Sequence, residues 1–251
     1  MPKASPGRAA AAILALAAFG YGAAVLAACR SGGSAQDPAA AFVAAAAAKG
    51  PLDPAGLPAI GPWLEYADGK PADWLGLAYQ GRTLREPINL VVLDRFADTA
   101  ETAVAKLLNA CKRVGYEEEF GHSAGYRALI DGRVYKQIPN DKHMAFANKD
   151  FLATNNHGRI AGPAPLAAAA AGASGGFAFA AGFSTERPTV RKGLHHSFVS
   201  FRRARDDFAW KLAAGGAYRA VGVLELGNVL DTATETTADH DGLAVVFEAV
   251  E

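Results

Sequence analysis

Hydrophobic and polar positions recur along the chain with two periods, and each period marks its own elements. Val104, Leu107, Leu108, Cys111 and Val114 return at helical spacing and form one apolar stripe. Asp98-Thr99-Ala100-Glu101 ahead of the stripe resembles a capping box with aspartate as the cap. Lys112 and Arg113 suit the negative end of the helix dipole, and Gly115 is expected to stop the helix in the left-handed conformation. A second helix is expected over about 200–214, with Phe201, Ala204, Phe208 and Leu212 inward and Gly215-Gly216 at its end. The β-branched run Pro87 to Leu93 predicts a buried strand. Tyr126–Ile130 and Arg133–Ile138 flank Asp131-Gly132, which supplies the positive φ of a two-residue type I′ hairpin turn. Further strands are expected at Phe177–Phe183, about Tyr218–Leu226 and about Leu243–Val250, with strand pieces at Met144–Phe146 and Phe151–Ala153. Gly162-Pro163-Ala164-Pro165 and the alanine-glycine run to Gly176 predict a flexible loop. There is no internal repeat. These elements predict an α+β fold, a mostly antiparallel or mixed sheet with two main helices packed on it.

The N-terminal part follows neither period. Lys3 and Arg8 precede an apolar run from Ala9 to Ala28 that ends in Leu26-Ala27-Ala28-Cys29. This resembles the bacterial lipobox, in which the cysteine is lipidated and becomes the mature N-terminus. Residues 1–29 are therefore expected to be a lipoprotein signal peptide, with Cys29 the lipidated residue and the membrane a partner through that anchor. Arg30, rather than aspartate, follows the cysteine, and by the rules for lipoproteins this directs the chain to the outer membrane, facing the periplasm. The alternative is an uncleaved single-pass inner-membrane anchor, since about twenty apolar residues can span a bilayer. Residues 30–62 are rich in Ala, Gly, Pro and Ser and are expected to form a flexible tether. A helix over Ala39–Ala48 would find little to pack against. Residues 63–251 make the folded domain, with packing starting at Trp63, Leu64 and Trp74.

Composition narrows the function classes. The formal net charge is zero, and without Lys3 and Arg8 it is about −2. No basic surface is implied, so nucleic acid is not an expected partner, whereas other envelope proteins are. Alanine inflates the hydrophobic fraction of 51%. Cys29 and Cys111 are the two cysteines; with Cys29 lipidated, Cys111 has no disulfide partner and reads as a small buried hydrophobe. No stretch matches a nucleotide-binding loop, a zinc-ligand spacing or a nucleophile elbow, so neither cofactor nor metal is expected.

The densest polar chemistry lies in Asn155-Asn156-His157-Gly158-Arg159, His195-His196 and Arg205-Asp206. His157 sits in a turn-forming context between Asn156 and Gly158. On a strand, His195 and His196 point to opposite sides, so the two are not expected to share one metal. Arg159 has two readings, a bidentate clamp for an anionic ligand or an internal pair with Asp206 or Glu186. His157, Arg159, His195 and Asp206 are expected to converge, and the cluster His157, Arg159, His195, His196, Arg205 and Asp206 is the candidate ligand-binding or structural site.

Glu86-Pro87-Ile88-Asn89-Leu90, the helix end Val114-Gly115-Tyr116, His157-x-Arg159, His195-His196, Arg205-Asp206 and Asp241-Gly242 occur in the order of the LssY C-terminal domain family, which residues 84–251 resemble. That family is often joined to membrane-embedded phosphatase-like or transporter-like segments. Where it often carries carboxylates between the paired histidines and the Arg-Asp pair, this chain has Arg202 and Ala204. The resemblance implies a domain and a surface rather than a reaction. Two functions follow as expectations. One is a membrane-tethered binding or interaction module with a groove near His157, Arg159 and His195. The other is a hydrolase of phosphate esters or other anionic groups, with His157 or His196 as acid or base and Arg159 as oxyanion clamp.

Overall fold

The computed structural model describes residues 37–120, 125–139, 144–167, 175–190 and 195–251. The expected signal peptide, its cysteine and residues 30–36 lie outside these residues, as does most of the alanine-glycine run before Gly176. Among the described residues three helices, α1 (Pro38–Ala47), α2 (Ala100–Arg113) and α3 (Phe201–Ala214), accompany a large curled sheet. The fold is mostly β, so the α+β expectation holds only in its coarse form. None of the described helices is long and apolar enough to cross a membrane.

The main sheet runs β1 (Ile60–Glu65), β6 (Arg127–Ile130), β7 (Arg133–Ile138), β9 (Asn155–Pro165), β10 (Phe177–Thr189), β4 (Leu90–Asp94), β14 (Leu243–Ala249) and β12 (Tyr218–Glu225). β11 (His195–Ser200) pairs with β10, β8 (Met144–Ala147) pairs with β9, and β5 (Glu117–Phe120) pairs with β8. All these ladders are antiparallel except β14 on β4. A small second sheet holds β2 (Asp73–Tyr79), β3 (Arg82–Arg85) and β13 (Glu235–Thr236).

Side chains alternate across β10 and sort into two cores, as a period of two requires. Phe179, Ala181 and Phe183 face the helices, where they meet Leu107 and Cys111 of α2 and Phe208 and Leu212 of α3. Ala178 and Ala180 face the other way, toward Leu64, Tyr126, Ala128 and Ile130 on the curled-over strands β1 and β6. The hairpin turn has Asp131 at φ 49° and Gly132 at φ 70°, as a type I′ turn requires.

Several sequence expectations give way here. Thr99, not Asp98, caps α2, because its side chain reaches the backbone of Thr102 and the Thr102 side chain reaches back. From Asp37 onward the expected tether is part of the domain. Phe42 of α1 meets Trp210 of α3 edge-on, and Val43 is buried in the helix-side core. The alanines let α1 lie close against α3, so two larger side chains suffice to seat it. Gly162–Pro165 is strand rather than loop, because β9 continues through Pro165. Phe151–Ala153 is a turn rather than a strand piece.

Candidate functional site

The Asn155 stretch is not a turn. It opens β9, and every residue from Asn155 to Gly162 is buried. The sheet ladder overrides the turn preference of Asn-His-Gly, and Gly158 has a specific reason to be there. A Cβ at that position would lie 2.3 Å from Cγ of Phe183, which fills the space.

Strand alternation then divides the stretch. Asn156 faces the helices, where its amide donates to Asp207 of α3 at 3.0 Å beside the Tyr116 hydroxyl and Lys211. Asn155, His157 and Arg159 form a polar column on the opposite face. The neighbouring strand supplies the partner of His157. Ser184 of β10 pairs with His157 across the ladder, and Glu186, two residues on, lies on the same face opposite Asn155. On the far side of β10, His196 of β11 pairs with Pro188, again two residues from Glu186. Glu186 on the middle strand is therefore flanked diagonally by a histidine from each neighbour.

The contacts are close. Nε2 of His157 is 3.1 Å from Oε1 of Glu186, and Nδ1 of His196 is 2.9 Å from Oε2. Oε1 also accepts from the indole N–H of Trp74 at 2.6 Å and from the Ser184 hydroxyl at 3.0 Å. The outer ring nitrogens are engaged as well. Nδ1 of His157 is 3.0 Å from Oδ1 of Asn155, and Nε2 of His196 is 2.7 Å from the Phe151 carbonyl, with the Phe151 ring stacked on the imidazole. His157, Glu186 and His196 are 0%, 3% and 2% exposed. Burial alone would raise the Glu186 carboxyl, but His157, His196 and Arg159 outweigh it and hold it well below the usual carboxylate range. Burial would lower His196, yet its bonds to Glu186 and Phe151 carry it above its ordinary value. At His157 burial wins, and the ring is pushed toward the neutral form.

Arg159 lies next along the column. Its guanidinium is 4.3 Å from the Tyr126 ring centroid and 3.3 Å from Oε2 of Glu86, whose Oε1 accepts from the Tyr126 hydroxyl. Glu86 is buried, which pushes its carboxyl up to about 7 despite Arg159. Among the described residues, the carboxylate paired with Arg159 is thus that of Glu86, rather than Asp206 or Glu186.

The expected six-residue cluster separates into two groups and one outlier. His157, Arg159 and His196 share the column on β9 to β11. Arg205 and Asp206 form a separate network on α3. Arg205 binds Asp206 at 2.8 Å, both oxygens of Asp241 and the Leu243 carbonyl, tying α3 to the start of β14. Burial raises the Asp206 carboxyl above its ordinary value, and Arg205 only partly offsets it. His195 is partly exposed and points away from Glu186, as strand alternation next to His196 demands. The convergence expected of Arg159 with Asp206 does not occur, because α3 turns its Arg-Asp pair toward Asp241.

Sequence reading missed Glu186 as the hub, and also Trp74 and Glu86. The available signal was the period-two pattern Asn155-x-His157-x-Arg159 beside Ser184-x-Glu186, which reads as two polar faces of adjacent strands. The expectation of no metal-ligating group also changes. Among the described residues, His157, Glu186 and His196 each bring one ligand atom within 4.8 Å of those of the other two. The second imidazole comes from β9 rather than from the adjacent His195, and the carboxylate comes from β10 rather than from the helix. Two open depressions, of about 280 and 500 Å³, lie elsewhere, one beside Asp94 and Lys106 and the other between Tyr79, Arg82 and Asp231. The chain matches no protein-family model, no curated protein and no solved structure.

Proposed function

We propose that this chain is a lipid-anchored protein of the cell envelope whose folded part is a binding or interaction domain of the LssY C-terminal type. The anchoring half rests on Lys3, Arg8, the apolar run and Leu26-Ala27-Ala28-Cys29. The domain type rests on the ordered motifs from Glu86 to Gly242. One observation carries the non-catalytic half. His157, Arg159, Glu186 and His196 are each 3% exposed or less, and each is held by other protein groups. A hydrolase needs an open position beside its acid, base and oxyanion donor. The candidate acid, base and clamp are closed off, so the phosphate-ester reading has less support and the binding surface is sought on the exterior.

Two measurements test the reading. Mass spectrometry of the mature chain should find a diacylated or triacylated Cys29 at the N-terminus, and Cys29→Ser should release the protein from the membrane fraction. Retention of residues 1–28 in the wild type would replace the lipid anchor with a spanning one. Incubation with p-nitrophenyl phosphate and bis-p-nitrophenyl phosphate should give the same background rate for wild type and His157→Gln. Turnover that disappears in His157→Gln would overturn the non-catalytic half.

A further inference from the structure

We infer that His157, Glu186 and His196 form a closed binding site for a divalent transition cation of the zinc type, which clips β9, β10 and β11 together. This goes beyond the anchoring and binding reading and does not depend on it.

The Phe151 carbonyl only accepts, so Nε2 of His196, at 2.7 Å from it, must carry a hydrogen. Oδ1 of Asn155 likewise only accepts. The orientation of that amide is fixed because its Nδ2 faces the carbonyls of Lys149 and Asp150 at 3.5 and 3.3 Å. Nδ1 of His157, at 3.0 Å from Oδ1, must therefore carry a hydrogen too. In their neutral forms both rings have then spent their single N–H on the outside. Both turn a lone pair inward, at 3.1 and 2.9 Å from the oxygens of an ionised carboxylate. Lone pairs facing a carboxylate from both sides repel it. Either two further protons fill these gaps, on the rings or on Glu186, or a cation lies among the three groups.

The surroundings favour the cation. Two imidazoliums would be buried about a single carboxylate with ring centroids 6.1 Å apart, a like-charge crowding that a cation held by two neutral rings avoids. Imidazole and carboxylate are the donor set that suits zinc and its neighbours. A metal-bound histidine also characteristically donates its other N–H to a carbonyl or amide oxygen, as both rings do here. Glu186 is oriented in turn by Trp74 and Ser184 on Oε1. The three ligands among the described residues leave one tetrahedral position for a further small donor such as water. With the ligand side chains 1–4% exposed, that position cannot admit a substrate of any size, so the role is structural.

The test uses the full chain, without a histidine tag, extracted in detergent, stripped with dipicolinate and titrated with Co²⁺ as a spectroscopic substitute for Zn²⁺. The expected result is one Co²⁺ per chain, with visible bands of a nitrogen-oxygen site that vanish on adding Zn²⁺, and a thermal midpoint that rises on loading. X-ray absorption of the Zn²⁺ form should show two imidazoles. Asn155→Ala, which removes the bond to Nδ1 of His157 and the amide's contacts with the Lys149 and Asp150 carbonyls but no ligand, should weaken affinity by about 10–100-fold. His157→Gln and His196→Gln should weaken it further, and His195→Gln should leave it unchanged. If either ligand variant fails to fold, the wild-type stoichiometry, the imidazole count and the Asn155→Ala shift still decide the matter. Absence of Co²⁺ and Zn²⁺ binding at micromolar concentration would overturn the site, as would unaltered affinity in folded His157→Gln or an imidazole count other than two. The buried groups would then be a proton-linked ion cluster.

Discussion

Gly158→Ala tests the packing that makes the polar column possible. The residue is buried mid-strand in β9, and its φ lies outside the left-handed region, so alanine has no backbone objection to the site. The obstacle is space. The new methyl carbon would lie 2.3, 2.4 and 2.6 Å from Cγ, Cδ2 and Cδ1 of Phe183. Phe183 cannot swing clear, because its ring is stacked on Phe208 at 4.3 Å and meets Tyr116 edge-on at 5.8 Å. Relief must come from moving β9 against β10. Overpacking of this kind costs about 1–3 kcal/mol, and the rigid neighbours place the expected value near the top of that range. For a domain of this size the midpoint should fall by roughly 2–12 °C. The decisive assay is a double-mutant cycle by urea denaturation with Phe183→Ala. With the ring gone the methyl has room, so Gly158→Ala should be neutral or slightly stabilising in that background. An equal cost in both backgrounds, or no cost in either, would refute the claim that Phe183 dictates glycine here.

Other expectations follow from the same contacts. Leu107→Ala in α2 should destabilise by about 2–5 kcal/mol in chemical denaturation, because Leu107 is fully buried against the sheet. Arg205→Met should cost about 3–5 kcal/mol, since it takes the close cation from Asp206 and leaves Asp241 with only the more exposed Arg202 at 3.5 Å, and Asp241→Asn should be milder. Glu86 has a folded pKa raised to about 7 from 4.5. Its contribution to stability is full below about pH 4.5 and is lost as pH rises through 7, so Glu86→Gln should flatten that part of the pH–stability curve; an unchanged slope between pH 5 and 7 would refute it. Cys111 is buried and burial pushes its thiol up, so a disulfide reagent should label it only as fast as the domain unfolds.

How far the sequence was readable depends on whether the deciding interaction is local. The end of α2 was legible because Gly115, at φ 76°, answers to the backbone alone, and so was the Asp131-Gly132 turn. The inward face of α3 was legible because Phe201, Ala204, Phe208 and Leu212 repeat on a helical period. The Asn155 stretch was misread because its turn-forming residues are overruled by ladder partners 23 to 31 positions away on β10, from Gly182 opposite Arg159 to Glu186 opposite Asn155. Arg159 presented a choice of acidic partners, and nothing local selects Glu86, 73 residues earlier. The small sheet of β2, β3 and β13 escaped for the same reason, since β3 joins β13 only through chain about 150 residues apart. Helix α1 was discounted because its alanines carry little hydrophobic signal, whereas contact with Trp210 supplies what they lack.

The place of β14 bears on how the chain comes to be folded at all. β14 fills the gap between β4 and β12, paired parallel to the first and antiparallel to the second. During vectorial synthesis or threading through a translocon, Leu90 to Asp94 can join β10 once residue 181 has emerged. The other edge of β4 stays bare until residues 243–249 arrive. Four of its five residues are large and apolar, so the waiting edge is a ready template for the same segment of another nascent chain. Domain closure therefore waits for β14 to emerge and pair with β4, after the helices have formed. A premature stop codon before Leu243 should yield insoluble aggregates instead of a shortened but soluble domain.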